Sequence, residues 1–90
     1  MILDRKLGLD KARVIAALAA RGIACRPIFS PLSSIPAFAN HPSRARAQAT
    51  NAASYALGPY GINLPSALSL DEETVRHVVD NLKAVLRAPR

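Results

Sequence analysis

GIACRPIFSPLSSIPAF, Gly22–Phe38, is the stretch whose reading decides the fold of this chain. A glycine opens it, a short apolar run follows, and Arg26-Pro27 stands at the end of that run. Pro31 and Pro36 then bracket Leu32-Ser33-Ser34-Ile35. Each proline fixes φ and removes a backbone donor, so the loop is stiff and has a defined shape. Ile23–Phe29 is predicted to be a strand with Ile23, Cys25 and Pro27 on one face and Ala24, Arg26 and Ile28 on the other. Pro27 cannot donate to a ladder, which makes this an edge strand or the place where the strand ends. Ser30–Ser43 is a long loop for a compact domain, and such loops are often functional.

Outward toward the N-terminus, Leu9–Arg21 has the pattern of a helix. Asp10 suits the N-cap, Leu9 and Val14 sit at the positions of a hydrophobic staple, and Val14, Ile15 and Leu18 form one apolar stripe. Gly22 supplies a left-handed residue just past the helix. Met1–Asp4 resembles the tail of a strand. It starts without turn chemistry before it, and a chain that continues upstream is the expectation.

Toward the C-terminus, the alanine-rich segment Arg44–Leu57 is predicted to contain a helix, ended by Gly58-Pro59 and Gly61. Gly61–Leu64 is a very short strand. Leu70–Arg87 is the clearest element. Ser69 and Glu72 have capping-box spacing, and Val75, Val78, Val79, Leu82, Val85 and Leu86 form one continuous apolar face. The four glycines all look like turn punctuation. The order strand, helix, strand, loop, helix, strand, helix predicts an α+β fold. It would be a two-layer small domain with helices packed on a short sheet of about three strands.

Ninety residues allow one domain, 1–90, with a limited core. Half of the residues are hydrophobic, yet many are alanine, and there are only two Phe, two Tyr and no Trp. A core this thin gains from a partner surface. The formal net charge is +6, but the acids cluster near the two ends. Gly22–Leu70 has none, while it holds Arg26, His41, Arg44 and Arg46. That balance suits a phosphate-bearing ligand, the acidic face of another domain, or a plain solvated surface. Nucleic-acid binding is favoured by charge alone, because no aromatic stacking platform accompanies the basic residues.

Cys25 is the single cysteine and excludes an internal disulfide; in an apolar run it reads as a small buried hydrophobe. No apolar run reaches membrane-spanning length and no signal-peptide core opens the chain, so a cytoplasmic location is expected. Cys25, His41 and His77 lack metal-ligand spacing. Ser33 or Ser34 with His41 offers a nucleophile–base pair that any serine-rich loop offers.

GI-x-x-RP at Gly22–Pro27, the aromatic Phe29, Pro31-Leu32, and GINLPS at Gly61–Ser66 followed by a helix occur here in one order. In that order they resemble the C-terminal end of the DegT/DnrJ/EryC1/StrS sugar aminotransferases, in particular the perosamine-type members. The resemblance covers essentially the whole chain and only the last part of those longer proteins. It implies the small C-terminal domain of a fold-type I, pyridoxal-phosphate-dependent enzyme that aminates nucleotide-linked keto sugars for polysaccharide biosynthesis. The Schiff-base lysine, the acid for the pyridinium nitrogen and the phosphate loop lie in the large domain of such enzymes and cannot be carried onto this sequence. Lys6, Lys11 and Lys83 fit surface roles, so no cofactor is expected on this chain alone and none of its residues is expected to be catalytic. What does carry over is a substrate-binding loop: Arg26, Phe29 and Ser33, with Pro31 and Leu32 matching the pattern around them. Ser33 stands where many relatives have His. The implied partners are an aminotransferase large domain or paralogue and a nucleotide-sugar, with no membrane and no specific nucleic acid. The alternative is a free-standing basic module that binds nucleotide-sugars or docks on a full-length paralogue.

Overall fold

The structure is a computed structural model and describes residues 1–88. The chain starts with an extended segment at Met1–Leu3 and a 3-10 turn at Arg5–Leu7, and then enters α1, Lys11–Ala20. Strand β1 is Arg26–Pro27. Two further 3-10 turns, Leu32–Ser34 and Pro36–Phe38, lead to α2, Arg44–Thr50, and α3, Ala52–Leu57. A last 3-10 turn, Gly58–Tyr60, precedes β2, Ile62–Asn63, and α4, Glu72–Arg87, closes the order. The architecture is α+β, as the periodicities predict.

The sheet is shorter than expected. It has two antiparallel strands, with Arg26 opposite Asn63 and Pro27 opposite Ile62. The predicted third strand contributes a single bridge, Ile2 to Gly61. Its backbone is nevertheless well held. Leu3 N–H donates to the Tyr60 carbonyl at 2.8 Å and Ile62 N–H donates to the Met1 carbonyl at 2.8 Å. On the other side, Ile28 N–H donates to the Gly61 carbonyl at 3.0 Å. Gly61-Ile62 is therefore the middle of the ladder. The predicted Ile23–Phe29 strand pairs only at Arg26–Pro27, since Pro27 has no N–H to extend it.

Its face pattern also changes at Pro27. Ile23 is buried and Cys25 half-buried while Ala24 and Arg26 are exposed, as alternation requires. Pro27 is exposed and Ile28 half-buried, the reverse of what is expected. Ile28 turns inward to cover Gly61.

Asp10 caps α1 by accepting from Ala12 N–H at 2.9 Å, and Gly22 takes the left-handed φ of 79° past its end. Val14 and Leu18 are buried, and α1 packs against α4 and β1. Leu3, Ile23, Ile62, Val78 and Val85 complete the core. The cap of α4 is Asp71, whose carboxylate accepts from Thr74 N–H at 2.8 Å, and not Ser69. Leu70 N–H turns back to the Ala67 carbonyl, which keeps Ser69 in the turn before the helix. The apolar face of α4 is wider than its contact: Val78 and Val85 are buried, Leu82 and Leu86 half-buried, and Val75 and Val79 remain exposed. The Arg44–Leu57 segment, expected to contain a helix, holds two, parted at Asn51, where ψ is 48°.

The radius of gyration is 15.8 Å, against about 12 Å for a compact domain of this length. The core is as thin as the alanine-rich composition implies. Among the described residues, no helix is long and apolar enough to cross a membrane.

Candidate functional site

The Ser30–Ser43 loop is a chain of single turns. Ser34 N–H donates to the Pro31 carbonyl at 2.8 Å, Phe38 N–H to Ile35 at 3.0 Å, His41 N–H to Phe38 at 3.0 Å and Arg44 N–H to His41 at 3.1 Å. The Ser34 hydroxyl adds a second bond to the Pro31 carbonyl at 2.6 Å. Pro31 and Pro36 begin the two 3-10 turns, where a fixed φ helps and a missing N–H costs little. The first turn packs on α2. Two side-chain bonds pin it: Ser33 Oγ and Tyr55 Oη lie 2.7 Å apart, and an Arg44 Nη donates to the Ser34 carbonyl at 3.4 Å.

This loop separates two hollows. One, of about 410 Å³, is lined mainly by apolar side chains, among them Ile2, Ile28, Phe29, Leu32 and Leu57, with Ser30 and Ser54. Phe29 is 90% exposed and Leu32 72% exposed, so the groove presents large apolar side chains to solvent. The other, of about 180 Å³, lies between the Leu32–Ser34 turn and α2. Leu32 lines both and forms the wall between them.

The three residues expected to bind substrate are thus distributed. Phe29 lies in the first hollow and Ser33 in the second, bonded to Tyr55. Arg26 is exposed on β1 and lines neither. Sequence reading did not single out Tyr55 for this loop. Its one signal was an aromatic residue in an alanine-rich segment, which says nothing about a bond to Ser33 across 22 positions. Glycine roles were also missed: Gly61 is a site of close approach rather than turn punctuation, because a side chain there would collide with Ile28.

The cations around these hollows bind carbonyls instead of carboxylates. Arg5 donates to Ala56 O at 3.2 Å and stands 5.1 Å over the Tyr60 ring. Lys11 Nζ donates to Gly58 O at 2.9 Å. The one ion pair among the described residues, Arg76–Glu72 on α4, is exposed and contributes little. Among the described residues no pair of a serine hydroxyl with His41 forms either: the Ser33 hydroxyl meets Tyr55, the Ser34 hydroxyl meets Pro31, and His41 Nδ1 accepts from Ser43 N–H. Cys25 is half-buried, and burial pushes its thiol up from the ordinary 9.0. A thiol raised in this way holds less thiolate at neutral pH. Among the described residues, no group of three His, Cys, Asp or Glu side chains is placed to hold a metal.

A small α+β unit with a proline-stiffened loop beside its strand pair now has an assignment. The sequence model of the DegT/DnrJ/EryC1/StrS aminotransferase family matches residues 1–83, and the chain belongs to that family. Comparison with curated proteins and with solved structures returns no match. The family is one of pyridoxal-phosphate-dependent aminotransferases. The described residues do not fit that cofactor. Lys6 and Lys83 are exposed, Lys11 is committed to the Gly58 carbonyl, and no lysine lines either hollow at the loop. A Schiff-base lysine needs a pocket that lowers its pKa and aligns its amine.

Proposed function

We propose that this chain acts as the small domain of a nucleotide-sugar aminotransferase in sugar and polysaccharide biosynthesis, with pyridoxal phosphate held by a large domain outside these residues. One observation carries the reading: Phe29, at the end of the strand pair, stands 90% exposed on the rim of an apolar groove. An aromatic ring held out by a stiff loop is costly in water and useful against a ligand or a second domain. Arg26 is the exposed cation on the adjoining strand and offers a fork of donors to a phosphate. In this reading Phe29 and Arg26 form one wall of the nucleotide-sugar entrance, and Ser33, tied to Tyr55, holds the loop in shape. The proposed location is the cytoplasm, which a single unpaired cysteine suits.

The test joins this chain to a large domain of the family and varies each substrate in steady-state kinetics. Arg26→Ala and Phe29→Ala are expected to raise KM for the nucleotide-sugar and to leave KM for the amino donor unchanged. Equal effects on both substrates, or none, overturn the reading.

Charge favours a second reading. Gly22–Leu70 holds no acid, and the cations there have no carboxylate partner among the described residues. Such a face suits docking on an acidic surface of a full-length paralogue. Titration calorimetry with a purified family member separates the two: salt-sensitive binding by the free chain supports the docking module.

A further inference from the structure

The second hollow has features that the proposed nucleotide-sugar role does not use. Its walls are apolar, made by Leu32, Phe38 and Ala47. At about 180 Å³ it is large enough for one six-membered ring, since a cavity of about 150 Å³ holds benzene. His41 and Arg44 are also among its lining residues.

Each keeps donor capacity beyond the bonds it makes among the described residues. His41 Nδ1 accepts from Ser43 N–H at 3.1 Å, which leaves Nε2 as the ring nitrogen that can donate. Nε2 has no partner among the described residues. The Phe38 ring meets the imidazole edge to face at 6.2 Å and 82°, which fixes its plane. Arg44 spends one N–H on the Ser34 carbonyl at a long 3.4 Å, and the others have no partner among the described residues. No acid lies between Gly22 and Leu70 to neutralise it from within that stretch.

We propose that this hollow binds a compact aromatic monocarboxylate, with the ring against Leu32, Phe38 and Ala47 and the carboxylate on Arg44 and His41. The planar guanidinium matches the two oxygens of a carboxylate. The small apolar walls select against a large or doubly charged ligand, whose charge they would desolvate without partners. The inference is independent of the aminotransferase reading, because it needs neither the cofactor domain nor Arg26 or Phe29.

The test is a titration of the full 90-residue chain, labelled with ¹⁵N, by benzoate at constant ionic strength. Saturable amide shifts confined to Leu32–Ser34, Phe38 and His41–Ala47 are expected, with a dissociation constant of about 1 mM, the range such a small ligand reaches. Benzyl alcohol, which lacks the charge, and acetate, which lacks the ring, are expected to bind at least about tenfold more weakly. Arg44→Gln is expected to weaken benzoate by about tenfold. Ala47→Leu, which fills the hollow, is expected to abolish binding; if that variant does not fold, the ligand series and Arg44→Gln still decide. Unsaturable shifts spread over other arginines, equal binding of acetate, or unchanged affinity in Arg44→Gln overturns the site. So does a wild-type spectrum without dispersion, because the hollow exists only in the folded chain.

Discussion

Ile28 stands in the place where a side chain on Gly61 would be. A Cβ added to Gly61 would come within 2.7 Å of Ile28 Cβ, while Ile28 N–H donates to the Gly61 carbonyl at 3.0 Å. Gly61 has an ordinary extended backbone, φ −87° and ψ 133°, so its need for glycine is wholly steric. Gly61→Ala is therefore expected to destabilise the chain by about 1–3 kcal/mol through overpacking. In an Ile28→Ala background the same change is expected to cost much less. Urea unfolding of the four proteins in the cycle measures the difference. Equal costs in both backgrounds would show that Ile28 is not the obstacle.

Leu18 is the centre of the core, with no exposed surface, between α1 and the Ile62 strand. Leu18→Ala is expected to cost about 2–5 kcal/mol. For a chain of this length that is a large share of the whole, since stability runs at roughly 0.05–0.15 kcal/mol per residue. Loss of the cooperative transition in circular dichroism is the expected result. A midpoint within a few degrees of the parent would contradict the burial.

Phe29 should behave in the opposite way. Phe29→Ser removes a ring that is already in water, so unfolding free energy is expected to change by no more than about 0.5 kcal/mol. Binding of a fluorescent apolar dye is expected to fall, because the Ile2–Phe29–Leu57 groove loses its largest member. A marked loss of stability would place Phe29 in a core it does not occupy here.

Asp71 and Ser69 give a pH-dependent contrast. The Thr74 hydroxyl first, and its backbone N–H second, hold the Asp71 carboxyl below its ordinary 3.8. A carboxyl lowered in the folded state stabilises above the unfolded value and ceases to do so as pH falls through the folded value. Asp71→Ala is expected to lower the melting temperature at pH 7. That gap should close as the pH drops below about 4. Ser69→Ala is expected to leave melting unchanged at both. A drop for Ser69→Ala equal to that of Asp71→Ala would restore the capping box.

The helices at the two ends were legible because their signals are local. Asp10, the Val14–Leu18 stripe and Gly22 specify α1 within one short window, and the Val78–Val85 spacing does the same for α4. The α4 cap was misplaced by two residues because Ser69 and Asp71 both have cap chemistry, and only the Ala67–Leu70 turn chooses between them. The strands were harder. Arg26–Pro27 and Ile62–Asn63 are too short to show alternation, and their pairing joins positions 35 and 37 apart. The site was least legible. The Pro31 and Pro36 signature marks a stiff loop, but the partition of Phe29 and Ser33 between two hollows depends on how α2 and α3 fold back on it. Alanine-rich segments with a weak stripe do not declare that packing.

The N-terminal segment is bonded to Tyr60 and Ile62, and α1 rests on α4. The two ends of the chain therefore meet in the core, which makes this a late-closing chain. Loop-closure entropy must be met before these end-to-end contacts return anything, so they form late. During synthesis, Leu3, Val14 and Leu18 lack the part of their cover that Val78 and Val85 supply until α4 has left the ribosome. The interval in which this apolar surface stands open is set by translation, and the chain is most exposed to aggregation and to chaperone capture in that interval.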